Sequence, residues 1–375
     1  MATYSNTTKY ILEVRFTKVY QILFLTTLFC FIAINGYAQE YQSFTRTYPS
    51  GETFRYQTNM KGDLTFIGNS IMNRDGGTTD TEPNDPYNNL NDDDSFNPAS
   101  NRNTETGGYY NYNDYKNMRY VDVDNDATTF SSSSADFTFA DASCSRIRYA
   151  ALYWSATYPR DNTSDASGTA RTHPINQVKL KVPGGSYVDI TADEILYDGL
   201  TNAALSNNAP YACYADITAL ITAQTNPEGE YTIANIPAAQ GIGYDLNTGT
   251  SLMSGGSAGG WTLVVAYENP NLSGKLITTF DGFARVTGSN SITIDYNGFT
   301  TIPTGPVNAN IGAVALEGDF AIPGDRMEIR AALNSSSGFY RMRNTVNPED
   351  NFFNSNIYFF FSRIFRKRKP YRSSV

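Results

Sequence analysis

From Met118 onward the chain alternates apolar and polar residues with the period of two that marks half-buried strands. Gln177-Val178-Lys179-Leu180-Lys181-Val182 and Ser291-Ile292-Thr293-Ile294-Asp295-Tyr296 show it most cleanly. The pattern predicts strands at Met118–Val123, Asp136–Ala140, Arg146–Ser155, Gln177–Val182, Glu230–Ile236, Trp261–Glu268, Lys275–Asp281, Ser291–Tyr296 and Arg326–Leu333. Leu64–Gly68 adds one strand near the N-terminus. Trp261–Tyr267 is apolar almost throughout, which places it at the centre of a sheet covered on both faces. Pro183-Gly184-Gly185, Asn226-Pro227-Glu228-Gly229 and Asn269-Pro270-Asn271 supply turns between strands.

Helix is scarce. Asp216 is placed to cap one short helix ending near Ala223, with Ile217, Leu220 and Ile221 on its apolar face. Many short strands and one small helix predict an all-β fold, an antiparallel β-sandwich or jelly roll, over about 200 residues from Met118. Asn73–Asn117 is rich in Asn, Asp, Gly, Thr and Tyr and nearly free of aliphatic residues. Such a stretch buries too little apolar surface to offset its ordering entropy, so a long disordered loop is expected. The expected organisation is a signal over residues 1–38 and a strand with the polar loop over 39–117. A sandwich domain then follows over 118–356, and an aberrant tail over 357–375.

The ends differ from this body. Lys9, Arg15 and Lys18 precede an apolar run, Ile22–Ile34, of signal-peptide length, and Gly36-Tyr37-Ala38 fits a signal-peptidase site before Gln39. Phe29 before Cys30 is too bulky for a lipoprotein box. At the other end Ile357–Phe365 runs into Arg366-Lys367-Arg368-Lys369. This tail reads either as a polybasic membrane anchor or as the product of a frameshifted or truncated gene. Its apolar run is far below the roughly 20 residues that a span requires.

Removing both ends sharpens the charge. The whole chain has 28 Lys and Arg against 37 Asp and Glu, and the body between the ends keeps 19 bases and 36 acids. So acidic a surface repels nucleic acid and anionic lipid and suits an extracellular protein. No stable membrane span is expected after signal cleavage. Two cysteines then remain, Cys144 and Cys213. An even pair in an oxidising compartment is a candidate disulfide, contributing about 4 kcal/mol on the chain-entropy account.

Several blocks recur in an order that resembles a known family. They are Val121-Asp122-Val123-Asp124-Asn125-Asp126 with the following serine run, Tyr149–Ser155, Tyr214–Thr218 and Gly229–Asn235. Gly259-Gly260-Trp261-Thr262-Leu263-Val264-Val265-Ala266-Tyr267-Glu268, Phe280-Asp281-Gly282-Phe283 and Glu317-Gly318-Asp319 with Gly324-Asp325 complete the series. Together they resemble the N-terminal module of large surface proteins exported by the type IX system of Bacteroidota. That resemblance implies a secreted, cell-surface, adhesin-like role and carries no known chemistry.

Chemistry-bearing residues are few. His173 is the sole histidine and lies in a loop-like context, which excludes multi-histidine zinc sites. Gly255-Gly256-Ser257-Ala258-Gly259 matches a nucleophile pattern, yet a strand follows it where a helix is needed. Asp122, Asp124 and Asp126 alternate as Ca²⁺ ligands can, although Ala127 and Ser133 break the EF-hand pattern. Glu317, Asp319 and Asp325 form a second acidic group. Tyr109, Tyr110, Tyr112, Tyr115 and Tyr120 cluster as sugar- or protein-binding rings do, or as packing of a poor loop.

Three functions follow in order. The first is a non-catalytic structural or adhesive surface module that meets extracellular polysaccharide or other surface proteins. The second is a carbohydrate-binding module. The third is a secreted glycan-active enzyme using two carboxylates. N-terminal sequencing of the exported protein is expected to return Gln39; a retained Met1 would refute cleavage after Ala38.

Overall fold

The computed structural model describes residues 39–74, 118–124, 126–159, 171–205, 207–241, 243–245, 250–251, 253, 255–286, 291–298, 307–315, 318, 323–330, 338–344, 346–354 and 361–365. The leader and most of the polar loop expected at Asn73–Asn117 lie outside these residues. The chain divides into two units. One joins Met1–Gln39 to Arg285–Ile292 and has few described residues; the other comprises Glu40–Ala284 and Thr293–Val375 and holds the core.

The strands are β1 Gln39–Gln42, β2 Tyr56–Ser70, β3 Met72–Arg74, β4 Met118–Tyr120, β5 Ser132–Phe137, β6 Arg146–Thr157, β7 Gln177–Lys181, β8 Tyr187–Thr191, β9 Glu194–Asp198 and β10 Pro210–Asp216. They continue as β11 Gly229–Ala234, β12 Tyr244–Asp245, β13 Thr250–Ser251, β14 Gly259–Glu268, β15 Gly274–Thr279, β16 Phe283–Arg285, β17 Val307–Ile311, β18 Glu328–Ile329, β19 Tyr340–Arg341 and β20 Phe361–Phe365. Among the described residues one α-helix, α1, spans Thr218–Thr222. The described residues are nearly all β, about 45% strand and 4% helix, and their sheets are antiparallel, one of them curled into a half-barrel.

A six-stranded sheet in the order β15-β2-β14-β6-β10-β9 faces a four-stranded sheet in the order β5-β11-β7-β8. The core lies between them. Alternate residues of the larger sheet point inward: Leu263 and Val265 from β14, Leu152 and Trp154 from β6, Tyr211 and Cys213 from β10. They meet Phe137, Val178, Leu180, Tyr231 and Ile233 from the smaller sheet. Trp154 and Trp261 are direct cross-strand partners. Their indole N–H groups donate to the Ile175 carbonyl at 2.8 Å and to Ser133 Oγ at 2.9 Å, which removes the penalty of burying them.

β14 is central, as its unbroken apolar run requires. Its even-numbered residues Val264 and Ala266 are buried on the opposite face of the larger sheet, where Ala266 joins Tyr149, Ala151, Leu196, Tyr214 and Ile277. Irregular chain lies over this outer face. Phe44 packs on the Gly282 corner, Tyr296 on Phe280 at 4.5 Å, and Gly312 on the Phe66 ring.

Several expectations shift. Leu64–Gly68 is the middle of a much longer β2. β8, β9 and β10 carry too little regular alternation to stand out, and pairing, not pattern, defines them. Ser291–Tyr296 alternates in burial yet joins no ladder among the described residues. α1 begins one residue later than a cap at Asp216 requires; Asp216 still accepts from the Thr218 N–H at 2.9 Å. In the tail, Phe361–Phe365 pairs with β17 as a two-stranded ribbon apart from both main sheets.

The expected disulfide is not formed: Cys144 and Cys213 are both free. Cys144 is exposed in a turn with φ of 62°, whereas Cys213 is buried in β10 with its Sγ 3.4 Å from the Ile175 carbonyl. The inward direction of β10 at Cys213 carries that thiol into the core, away from the surface turn that holds Cys144.

β2 enters the sheet by passing between strands that are close in sequence. It pairs with nine residues of β14 on one side and six of β15 on the other. The chain from β14 to β15 crosses it at Lys61 and Gly62, where the Asn269 N–H reaches the Lys61 carbonyl and the Gly62 N–H reaches Ser273. A Cβ at Gly62 would collide with the Tyr267 carbonyl oxygen, so the crossing requires glycine. Gly62→Ala is expected to lower stability by at least about 2 kcal/mol in urea titrations. Gly274→Ala, with open space around it, should stay within about 0.5 kcal/mol. Equal effects of the two would contradict this crossing.

Candidate functional site on the outer face of the six-stranded sheet

The densest polar cluster sits on the outer face. A strap of irregular chain, Ser43–Arg55, leads directly into β2 and carries Arg46, Tyr48 and Arg55. β15 ends two residues before Asp281, and edge strand β9 begins with Glu194. Asp281 is only 5% exposed, so its charge needs partners. Arg55 supplies Nε at 2.6 Å to Oδ2 and Nη2 at 3.2 Å to Oδ1, and Arg46 supplies Nη2 at 2.8 Å to Oδ1. Tyr48 donates its hydroxyl to Oδ1 at 2.8 Å and Tyr153 donates to Oδ2 at 3.0 Å.

Glu194 closes the cluster. Its two carboxylate oxygens take Nη2 of Arg46 at 3.0 Å and Nη2 of Arg55 at 2.5 Å. The Tyr48 ring lies between the two guanidiniums, at 4.3 Å from Arg46 and 4.5 Å from Arg55, and Arg55 also covers Tyr214 at 3.9 Å. Two cations and two anions thus cancel around one aromatic ring.

The proton states follow from burial. Burial, reinforced by the Asp281 charge, pushes the Tyr48 hydroxyl well up. Burial does the same for Tyr153, with the neighbouring Tyr149 and Asp281 adding to it. Both therefore stay protonated and act as donors. Burial alone would lower the Arg55 pKa; hydrogen bonds and charge from Asp281 and Glu194 reverse that and raise it. Glycosidase chemistry needs one carboxyl free to protonate a leaving group. Here both carboxylates are held by arginines.

No family model, curated protein or solved structure matches this chain.

The candidates named by sequence fall elsewhere. Asp122, Asp124 and Asp126 share a loop after β4, where their carboxylates are engaged in local hydrogen bonds with the loop and with one another. Asp122 Oδ1 accepts from Ser132 Oγ at 2.7 Å. Asp124 Oδ1 accepts from the Asp126 N–H at 2.9 Å and Thr129 Oγ1 at 3.1 Å, and its Oδ2 accepts from the Tyr187 hydroxyl. Asp126 Oδ1 takes the N–H and hydroxyl of Thr128, each at 2.8 Å. Burial, with the Asp124 charge adding, raises the Asp122 carboxyl. Burial also opposes Asp124, yet the bonds from Tyr187, Asp126 and Thr129 hold it below the usual range. Among the described residues no group of three or more His, Cys, Asp or Glu is arranged to hold a metal ion.

Ser257 is buried and donates to the Ala239 carbonyl, which is not the exposed, strained position of a nucleophile. His173 is exposed, with its ring stacked on Phe130 at 4.2 Å. Tyr120 is half-buried; its hydroxyl donates to the Ala238 carbonyl at 2.6 Å and accepts from the Ala238 N–H at 2.8 Å. Tyr109, Tyr110, Tyr112, Tyr115, Glu317 and Asp319 lie outside the described residues. Asp325 is described and accepts the Phe353 N–H at 2.8 Å.

Sequence reasoning missed Arg46, Tyr48, Arg55, Tyr153 and Glu194, which are scattered through 148 positions. One signal was present: Phe280-Asp281-Gly282-Phe283 places an acid at the end of a predicted strand, between aromatics and beside a glycine. That glycine is needed, since a Cβ there would lie 2.5 Å from the Gln42 carbonyl oxygen and 2.8 Å from the Phe44 ring. Asp281→Ala leaves two guanidiniums facing a buried void and is expected to cost about 3–5 kcal/mol. Tyr48→Phe is expected to cost about 1–3 kcal/mol. Urea titration followed by tryptophan fluorescence measures both; a loss below about 1 kcal/mol for Asp281→Ala would show the cluster to be solvated.

Proposed function

We propose that this chain is a non-catalytic structural or adhesive module of an exported cell-surface protein, of the kind found at the N-terminus of large Bacteroidota surface proteins. The observation that carries the reading is the closed cluster around Asp281. The most concentrated chemistry among the described residues is consumed in fastening the strap to the sheet. A reactive site would leave an acid, a base or a nucleophile facing solvent. The leader-like N-terminus and the acidic body support an address outside the cell. No helix among the described residues is long and apolar enough to cross a membrane.

One observation favours a carbohydrate-binding reading as second choice. Tyr41, Tyr197 and Phe283 are half-buried rings in a row: Tyr197 stacks on Phe283 with centroids 4.5 Å apart, and Tyr41 lies tilted against Tyr197 at 5.1 Å. Tyr41, the end ring of the row, offers an apolar face with a hydroxyl handle. The two readings separate on a glycan array.

The chain from Gln39 onward is expected to hydrolyse no peptide, ester or glycosidic substrate and to retain no glycan. Turnover abolished by Glu194→Gln with an unchanged melting temperature would establish an enzyme. Glycan binding abolished by Tyr41→Ala would establish the second reading.

A further inference from the structure

We propose that Asn297 is a site of self-modification, at which the chain's own backbone converts the asparagine to aspartate and isoaspartate without an enzyme. The inference goes beyond the proposed role and holds whatever the module binds. Asparagine followed by glycine is the reactive pair, because a residue without a Cβ lets its backbone nitrogen approach the preceding side chain. The chain has two such pairs, Asn35-Gly36 and Asn297-Gly298. The first falls in the expected leader, so the second is the one that the chain from Gln39 onward keeps.

Sequence makes the pair reactive, and the fold leaves it open. Asn297 and Gly298 are both exposed and belong to no ladder. Among the described residues nothing bonds the Asn297 amide or the Gly298 N–H; only the Gly298 carbonyl is engaged, accepting from Gln57 Nε2 at 3.5 Å. Gly298 holds a φ of 82°, and the nearest atom to a Cβ placed there is that same Nε2 at 3.9 Å, so no neighbour blocks the ring that must form. Other asparagines are fastened. Asn269 is buried, and its Nδ2 donates to the Asp141 and Ser143 carbonyls and to Ser145 Oγ. Asn69 also precedes a small residue, yet its Nδ2 donates to the Ser134 carbonyl at 2.8 Å, its Oδ1 takes the Ser70 N–H at 2.8 Å, and its backbone is held in β2 opposite Trp261.

The step balances with water as its only co-reactant. The Gly298 backbone nitrogen gives its proton to solvent and attacks Cγ of Asn297. A C–N bond closes a five-membered succinimide, the bond from Cγ to Nδ2 breaks, and Nδ2 takes up a proton and leaves as ammonia. Water then opens the ring. Attack at Cγ returns the normal backbone with an aspartate, whereas attack at the main-chain carbonyl gives isoaspartate, whose backbone runs through Cγ. Nothing is oxidised or reduced. Either product adds a negative charge two residues from Asp295. Isoaspartate also lengthens the main chain by one methylene between two points that touch the sheet, Tyr296 on the Phe280 ring at 4.5 Å and the Gly298 carbonyl on Gln57. The conversion therefore loosens this segment as the protein ages.

Peptide mapping by mass spectrometry tests this on the full chain, held at mildly alkaline pH either folded or in urea, with fragmentation that places each change. A gain of one dalton at Asn297 is expected in the folded sample, at a rate within about twofold of that in urea, while Asn69 converts in urea only. The Asn297 rate should rise with pH, because the attacking nitrogen must give up its proton. An isoaspartyl methyltransferase assay of the same peptide supplies the second readout. Asn297→Gln, whose longer side chain closes a six-membered ring far less readily, is expected to abolish that signal without moving the melting temperature. Conversion of Asn297 in urea but not in the folded chain would show that the fold shields it and overturn the proposal. An Asn297 that stays intact in both samples overturns it too, as does an isoaspartyl signal that survives Asn297→Gln.

Discussion

The outer half of this protein depends on the neutralisation of one buried carboxylate. Asp281 sits where β15 turns away from the sheet, and it cannot be buried as an anion without donors. Arg46 lies near the start of the strap, Arg55 at its end beside β2, and Tyr153 rises from β6, so a single carboxylate ties the strap and β6 to the end of β15. With the strap in place, Tyr149, Tyr153 and Tyr214 lie under cover, and Tyr56 stacks on Tyr149 at 4.3 Å. Without it that aromatic face would meet water. The inner half needs no such device, because two apolar faces packed together suffice.

The inner half is also what the sequence disclosed. Period-two alternation finds β7 and β11 because each has one face in the core, whereas β14 reads as a continuous apolar run because both its faces are buried. The same logic explains the failures. β9 and β10 offer mixed residues such as Glu194, Ile195 and Tyr211, whose inward or outward direction is decided by their partners. In Thr293–Tyr296 the alternation is real but only reflects a segment lying on a surface, with no ladder partner among the described residues. Alternation reports one-sided burial, and strand pairing is a separate fact.

The site was less legible for a physical reason. Local patterns reveal ligands that are close in sequence, so Asp122, Asp124 and Asp126 drew attention. Close spacing is also what lets short acidic side chains bond to their own backbone, which is what this loop does. The Asp281 cluster is assembled from Arg46, Tyr48, Arg55, Tyr153 and Glu194, and no spacing rule links them. The pair of cysteines misled for another reason: parity suggested a bridge, whereas the inward direction of β10 at Cys213 makes one member a core residue.

A buried cluster of two arginines and two acids is a poor source of net stability, since desolvation offsets most of the attraction between its members. Its asymmetry gives it a different use. Removing one member is costly, whereas any alternative placement of the strap would separate the guanidiniums from the acids and incur the same cost. A hydrophobic strap could slide along the aromatic face with little change in energy. One that carries Arg46 and Arg55 cannot, because Asp281 and Glu194 are fixed by β15 and β9. The register of β2 is set by the same contacts, since Arg55 is the residue immediately before it and its N–H bonds the Thr279 carbonyl at 2.9 Å. The charges thus specify where the N-terminal strand enters, and the apolar edge of β14 supplies the driving force for its entry.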